Sequence, residues 1–181
     1  MRKNIAGPRQ VGDRIEPTKL ETIDGRSIAL PDPERLTHIQ FRRFAGCPIC
    51  NTHLKSFVAR RGEIVGAGVH EVVFFHSEAE KLRKFPDLLT FDTIADPDRT
   101  FYDTYGVGTS IGAELRPRAL GAAMRGVFRP RGPLRMDLGS GILGLPADLL
   151  IDRDGAIRDV HYGKDAYDQW SVDEVLERAS R

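Results

Sequence analysis

Apolar residues in this chain gather in short runs of strand length, separated by stretches in which they recur at helical spacing. His38-Ile39-Gln40-Phe41, with Phe44 just beyond, reads as a core strand running into a loop, where Gly46 gives the backbone freedom to turn. From residue 50 onward Leu54, Phe57 and Val58, then Ile64 and Val65, recur near the helical period with His53, Lys55, Arg60 and Arg61 between them. That spacing predicts a helix with one buried face. Val72-Val73-Phe74-Phe75 is a second apolar run of strand length, and Ser77-Glu78-Ala79-Glu80 after it matches a capping box that opens another helix. Strand, helix, strand, helix implies parallel pairing, with crossover helices on the faces of a sheet.

The flanking segments add antiparallel elements. Asp24-Gly25 lies between Leu20-Glu21-Thr22-Ile23 and Arg26-Ser27-Ile28-Ala29-Leu30, which predicts a small hairpin, and Pro31 and Pro33 then break regular structure. Asp152-Arg153-Asp154-Gly155 sits in the same way between Ala147-Asp148-Leu149-Leu150-Ile151 and Ile157-Arg158-Asp159-Val160. Leu88-Leu89-Thr90-Phe91 and Ile94-Ala95 read as extended, and Asp96-Pro97 as the cap and first turn of a helix ending near Gly106. The last helix runs from Val172 to Ala179 behind a Ser171 cap, with Val172, Val175 and Leu176 on one face.

A chain of 181 residues is expected to form one domain with a core large enough to need no disulfide or metal. Its two cysteines do not make a secreted disulfide framework, and a reducing compartment is the expectation. Residues 4–14 hold no apolar run of the kind a secretory signal needs, and no stretch of the sequence has membrane-spanning length, so the protein is expected to be soluble and cytoplasmic, with no membrane partner. A formal net charge of +1 gives no reason to expect nucleic acid. The charge is uneven, however. Between Glu114 and Asp137 there is no acid, while Arg116, Arg118, Arg125, Arg129, Arg131 and Arg135 are all basic. This segment reads either as a rim or contact surface for anionic partners or, more simply, as solvated charge with Leu120, Met124, Val127, Phe128, Leu134 and Met136 covering part of the core.

Both cysteines fall in Cys47-Pro48-Ile49-Cys50, after the first core strand and at the predicted helix start. A thiol on the first turn sees backbone N–H groups and the positive end of the helix dipole, which favour the thiolate. Cys47 is therefore the candidate nucleophile. Cys50, close enough on the same turn to close a reversible disulfide, is the candidate resolving thiol. The plain alternative is two buried thiols that pack as small hydrophobes. Cys47, Cys50 and His53 also invite a metal reading, but the other histidines have no paired spacing to complete a site, and His53 is expected to be a solvated helix residue. His76 closes an apolar strand and is read as a strand-end histidine satisfied by water, and Trp170 as a core residue beside the last helix.

This order of elements resembles the thioredoxin fold: an α/β architecture with a central mixed sheet flanked by helices, an N-terminal hairpin and, here, an inserted Arg-rich segment. The detail is similar to the peroxiredoxin-like branch, the alkyl hydroperoxide reductase and thiol-specific antioxidant relatives. The resemblance is carried by Val11-Gly12-Asp13 and the hairpin after it, Cys47-Pro48, Ala95-Asp96-Pro97-Asp98-Arg99 with Tyr105-Gly106-Val107, and Leu149-Leu150-Ile151-Asp152 with Gly155-Ala156-Ile157. It leaves a core of about 11–107 and 144–181 around an unmatched insertion of about 108–143.

Residue by residue, the resemblance is mixed. Where peroxiredoxins place a Pro and a Thr ahead of the peroxidatic Cys, this chain has Gln40 and Phe44. The family's peroxide-activating arginine falls on Pro146, which instead resembles the cis-proline that thioredoxin-like oxidoreductases set against their cysteines. Residues 38–44 hold no counterpart of thioredoxin's buried carboxylate. Arg42 or Arg43 can replace the missing arginine, and Arg43 is preferred. The resemblance implies a thiol-dependent oxidoreductase without a cofactor, acting on a peroxide or alternatively on a protein disulfide, with an external dithiol reductant. A homodimer is also consistent with it. A third reading is a redox-sensing module that binds through the Arg-rich insertion.

Overall fold

The computed structural model describes residues 7–108 and 144–181. A hairpin of β1 (Thr18–Glu21) and β2 (Ser27–Leu30) precedes a sheet built from β3 (Leu36–Arg42), β4 (Val69–Phe75), β5 (Asp92–Ala95), β6 (Ala147–Ile151) and β7 (Ile157–Tyr162). The sheet order is β5-β4-β3-β6-β7. The β3/β4 and β4/β5 pairs are parallel, while β6 runs antiparallel to both β3 and β7. The expected mixed sheet is thus observed, with parallel pairing where strands and helices alternate and antiparallel pairing at the late hairpin.

Helices α1 (Pro48–Ala59), α2 (Arg61–Gly66) and α5 (Val172–Ala179) cover one face. There Leu54, Phe57, Ile64, Trp170 and Val175 pack on Leu36, Val73, Phe75 and Leu150. On the other face Ile39, Phe41, Val72, Phe74 and Leu149 meet Leu20 and Leu30 of the hairpin and Tyr102 of α4 (Thr100–Thr104). Strand β3 is therefore buried along its whole length on both sides.

Several boundaries differ from the pattern-based expectation. The helix predicted through Val65 breaks at Arg60, whose guanidinium is held by Glu63 at 2.7 Å and by Asp173 of α5 at 2.6 Å. Of the segment expected to be extended at 88–91, residues 88–90 instead lie in a 3-10 turn, Pro86–Thr90, while Phe91 is extended. Ser77 does not cap α3 (Ala79–Leu82); its hydroxyl accepts the Ala45 N–H at 2.9 Å. Asp96 is not the N-cap of α4, which is Arg99, and Pro97 lies outside the helix; the Asp96 carboxylate instead reaches the helix start across a loop, accepting the Thr100 and Phe101 N–H groups at 2.8 Å each. The last helix forms as expected, with the full Ser171 and Glu174 capping box. The Arg-rich segment, with its six named arginines, lies within residues 109–143, outside the described residues. Among the described residues no helix is long and apolar enough to cross a membrane.

Candidate active site

Strand β3 delivers the chain to the cysteine loop at the end of the sheet where β4 also stops. Gly46 takes φ 77°, a left-handed conformation that a side chain would strain, and the turn closes through the Cys47 N–H to the Phe44 carbonyl at 3.1 Å. Cys47 is the N-cap of α1 and Pro48 occupies the first turn, where its missing N–H costs nothing. Two contacts from the β4 end hold the loop: the His76 N–H donates to the Arg43 carbonyl at 3.1 Å, and Ser77 receives the Ala45 N–H.

Both thiols are reduced and buried, with their sulfurs 2.8 Å apart. The Cys47 sulfur also accepts the Cys50 N–H at 3.4 Å, as expected of a sulfur capping a helix. Arg43 Nη1 lies 3.9 Å from the same sulfur, and its guanidinium rests on the Phe44 ring at 5.3 Å. Arg43, not Arg42, is thus the arginine against Cys47.

Burial disfavours charge on either sulfur, and the hydrogen bond between them divides the outcome. The Cys47 thiol is pushed well above its ordinary range by burial and by Cys50. Cys50, against the same burial, is drawn down to about 7 by the Cys47 hydrogen bond and by Arg43 and Arg42. The expected pull of the helix start on Cys47 is present in the Cys50 N–H, with Arg43 beside it, but burial and the Cys50 thiol outweigh them. When the pair loses one proton, the other lies between two close sulfurs, so the two thiols titrate as a unit.

Beneath α1, the face of β3 that carries His38, Gln40 and Arg42 forms a closed ring of buried polar side chains with Asp148 of β6 and Glu71 of β4. Arg42 pairs with Asp148 at 2.7 Å, Asp148 with His38 at 3.3 Å, and His38 with Glu71 at 2.9 Å. Gln40 completes the ring, donating to Glu71 and accepting from Arg42 Nη2 at 2.6 Å. Burial opposes charge on His38, yet Glu71 and then Asp148 outweigh it and raise its pKa to about 9. Burial likewise opposes the Asp148 carboxylate, but Arg42 and His38 hold it well below the usual range.

These residues were not singled out from sequence, except that Gln40 was read as a departure from the family and Arg42 as an alternative to Arg43. The available signal was the polar set 38, 40, 42 on alternate positions of an otherwise apolar strand. The expected absence of a buried carboxylate in residues 38–44 holds, but Asp148 supplies one from the neighbouring strand.

Other expectations change. His53 is not simply solvated: its ring packs on Phe57 at 5.0 Å and its Nε2 lies 3.4 Å from Arg42 Nη2. Burial, followed by Arg42, lowers its pKa to about 3, so it is neutral. His76 is 6% exposed, with Nε2 3.0 Å from the Pro97 carbonyl, a protein contact instead of water. Pro146 precedes β6 at the cysteine end, because Ala147 pairs with Phe41. Its peptide bond is trans, however; among the described residues the cis bond is Leu30–Pro31. Pro146 accepts the Gly163 N–H at 2.9 Å, and that packing, not a cis turn, sets its place. Trp170 is a core residue, and its backbone N–H reaches Asp148 at 3.2 Å. Among the described residues no group of His, Cys, Asp and Glu is placed to hold a metal ion.

Solved structures share this fold. Peroxidoxin BcpB from Mycobacterium tuberculosis is 19% identical with a TM-score of 0.64, over 94% of this chain and 96% of that one. A peroxiredoxin-like protein from Aquifex aeolicus is 19% identical with a TM-score of 0.66, over 97% and 89%. A protein assigned as the thiol:disulfide interchange protein DsbE of Chlorobium tepidum is 17% identical with a TM-score of 0.55, over 94% and 95%. No curated protein matches the chain. Residues 11–160 match the AhpC/TSA family. With that match spanning the cysteine pair, β3 and the late hairpin, the chain belongs to the AhpC/TSA family and is a peroxiredoxin-like, thiol-dependent oxidoreductase on a thioredoxin fold.

Proposed function

We propose that the protein reduces peroxides with Cys47 as nucleophile and Cys50 as both its proton acceptor and its resolving thiol. The observation that carries this reading is the sulfur pair at 2.8 Å on the first turn of α1, with the Arg43 guanidinium 3.9 Å from Cys47. With its thiol drawn down to about 7, Cys50 takes the Cys47 proton as the Cys47 sulfur attacks the O–O bond. The sulfur is oxidised to sulfenic acid, the peroxide is reduced, and an alcohol, or water from hydrogen peroxide, leaves after gaining a proton. The Cys50 thiol then attacks the sulfenic sulfur, a disulfide forms, and the released hydroxyl takes the Cys50 proton to leave as water. An external dithiol restores the pair by thiol–disulfide exchange. Arg43 stands where a cation stabilises a Cys47 thiolate and polarises the peroxide.

The test is stopped-flow oxidation of the reduced protein by hydrogen peroxide, followed through Trp170. Rapid oxidation that Cys47→Ser abolishes, with sulfenic acid accumulating in Cys50→Ser, supports the reading; oxidation no faster than a free thiol would sink it.

A second reading is disulfide exchange with a protein substrate. It is favoured by the same close CxxC pair, by Phe44 in place of a hydroxyl beside the peroxide site, and by the structural likeness to the DsbE protein. Catalysed reduction of an insulin disulfide without rapid peroxide consumption would select it. The edge strands β5 and β7 are the routes by which a homodimer would pair.

A further inference from the structure

The cysteine loop is pinned through its main chain. The Arg43 carbonyl accepts the His76 N–H at 3.1 Å, the Phe44 carbonyl accepts the Cys47 N–H at 3.1 Å, and the Ala45 N–H donates to Ser77 at 2.9 Å. These contacts fix where the Arg43 side chain leaves the backbone and where the Cys47 sulfur sits. They do not by themselves place the guanidinium, which ends a long side chain with several rotatable bonds.

The guanidinium is nevertheless brought to the sulfur. Arg43 is only 3% exposed; its guanidinium carbon lies 5.3 Å from the centroid of the Phe44 ring, and its Nη1 lies 3.9 Å from the Cys47 sulfur. The face of an aromatic ring is electron-rich, and its attraction for a cation grows where water is excluded. Phe44 meets that condition, because it is buried in one apolar cluster with Ala45, Cys47 and Ile49. Residue 44 thus serves both partners: its carbonyl holds the Cys47 N–H and its ring carries the Arg43 cation.

We propose that Phe44 is a positioning residue for the cysteine site: its ring is a cation–π platform that holds the Arg43 guanidinium against the Cys47 sulfur. The inference rests on the thiol chemistry proposed above and adds the side chain that places its cation. An aliphatic residue of similar bulk would fill the same cluster but offer the guanidinium no negative face. That difference separates positioning from packing.

The experiment reads the charge beside Cys47 in the reduced protein with no peroxide present. In the Cys50→Ser background, where Cys47 is the sole thiol, alkylation rates are measured with neutral iodoacetamide and with anionic iodoacetate. Both reagents need the same thiolate and nearly the same room, so the ratio of their rates reports the local cation. Phe44→Leu should lower the iodoacetate-to-iodoacetamide ratio by roughly threefold to tenfold, whereas Phe44→Tyr, which keeps the ring, should stay close to the parent. Arg43→Met should lower the ratio at least as far, and adding Phe44→Leu to it should lower the ratio no further. If Phe44→Leu does not fold, Phe44→Met takes its place with the same expected fall. An unmoved ratio in the folded aliphatic variant would overturn the proposal. So would a ratio equally low in Phe44→Tyr, or a loss in the double variant equal to the product of the two single losses. Because no peroxide is used, the ratio can fall in a protein that does not consume peroxide and can stay put in one that does.

Discussion

Arg42 and Asp148 form an ion pair at 2.7 Å with neither side chain exposed to solvent. Removing one partner strands the other's charge in a low-dielectric interior, whereas removing both does not. Asp148→Ala should therefore cost about 3–5 kcal/mol, while the double apolar variant should cost far less than the sum of the single changes. Denaturant unfolding of the single and double variants measures this difference; additive losses would show that the pair is energetically uncoupled.

The two histidines that flank this pair predict a stability optimum in pH. His38 is raised to about 9, so its contribution is complete below its unfolded pKa of about 6.5 and is lost as pH climbs through 9, a loss of about 3 kcal/mol. His53 is lowered to about 3, so the unfolded chain binds the extra proton between about 6.5 and 3 and stability falls as pH drops through that window. Stability should peak near pH 6.5. Unfolding free energies in the Cys47→Ser/Cys50→Ser background, where thiols do not titrate, check the shape. His38→Gln should flatten the alkaline limb and His53→Gln the acid limb.

Arg43 is expected to matter for rate more than for folding. Its Nη1 is 3.9 Å from the Cys47 sulfur, and Arg43→Met should slow peroxide oxidation of Cys47 by roughly tenfold to a hundredfold, with Arg43→Lys restoring part of the loss. Single-turnover stopped-flow kinetics give the comparison, and an unchanged rate in Arg43→Met would remove Arg43 from the mechanism.

Ser77 ties the loop that carries the cysteines to the end of β4. Its loss leaves the buried Ala45 N–H without that acceptor, and Ser77→Ala should destabilise the protein by about 1–3 kcal/mol. Hydrogen exchange at Ala45 should quicken in the variant; unchanged protection there would mean that the loop is held by its other contacts alone.

What could be read from the sequence was local. Asp24-Gly25 and Asp154-Gly155 marked the turns of the β1/β2 and β6/β7 hairpins, Ser171 with Glu174 marked the start of α5, and the apolar spacing after Cys50 marked α1. Turn conformations, caps and helical faces are decided within a few residues, so their signals survive in a linear reading. The position of Cys47 at the head of α1 was legible for the same reason.

The rest depended on distance and burial. His38, Gln40 and Arg42 alternate with Ile39 and Phe41 as they would on a strand wet on one side, and only the packing of α1 and α5 turns that polar face inward. Asp148, the carboxylate that balances Arg42, is 106 residues away along the chain and is brought beside it by the β3/β6 pairing. The proton between Cys47 and Cys50 follows the same rule. A helix dipole can be inferred from sequence, but the desolvation of both sulfurs, their 2.8 Å approach and the guanidiniums around them exist only once the sheet and helix have closed on one another.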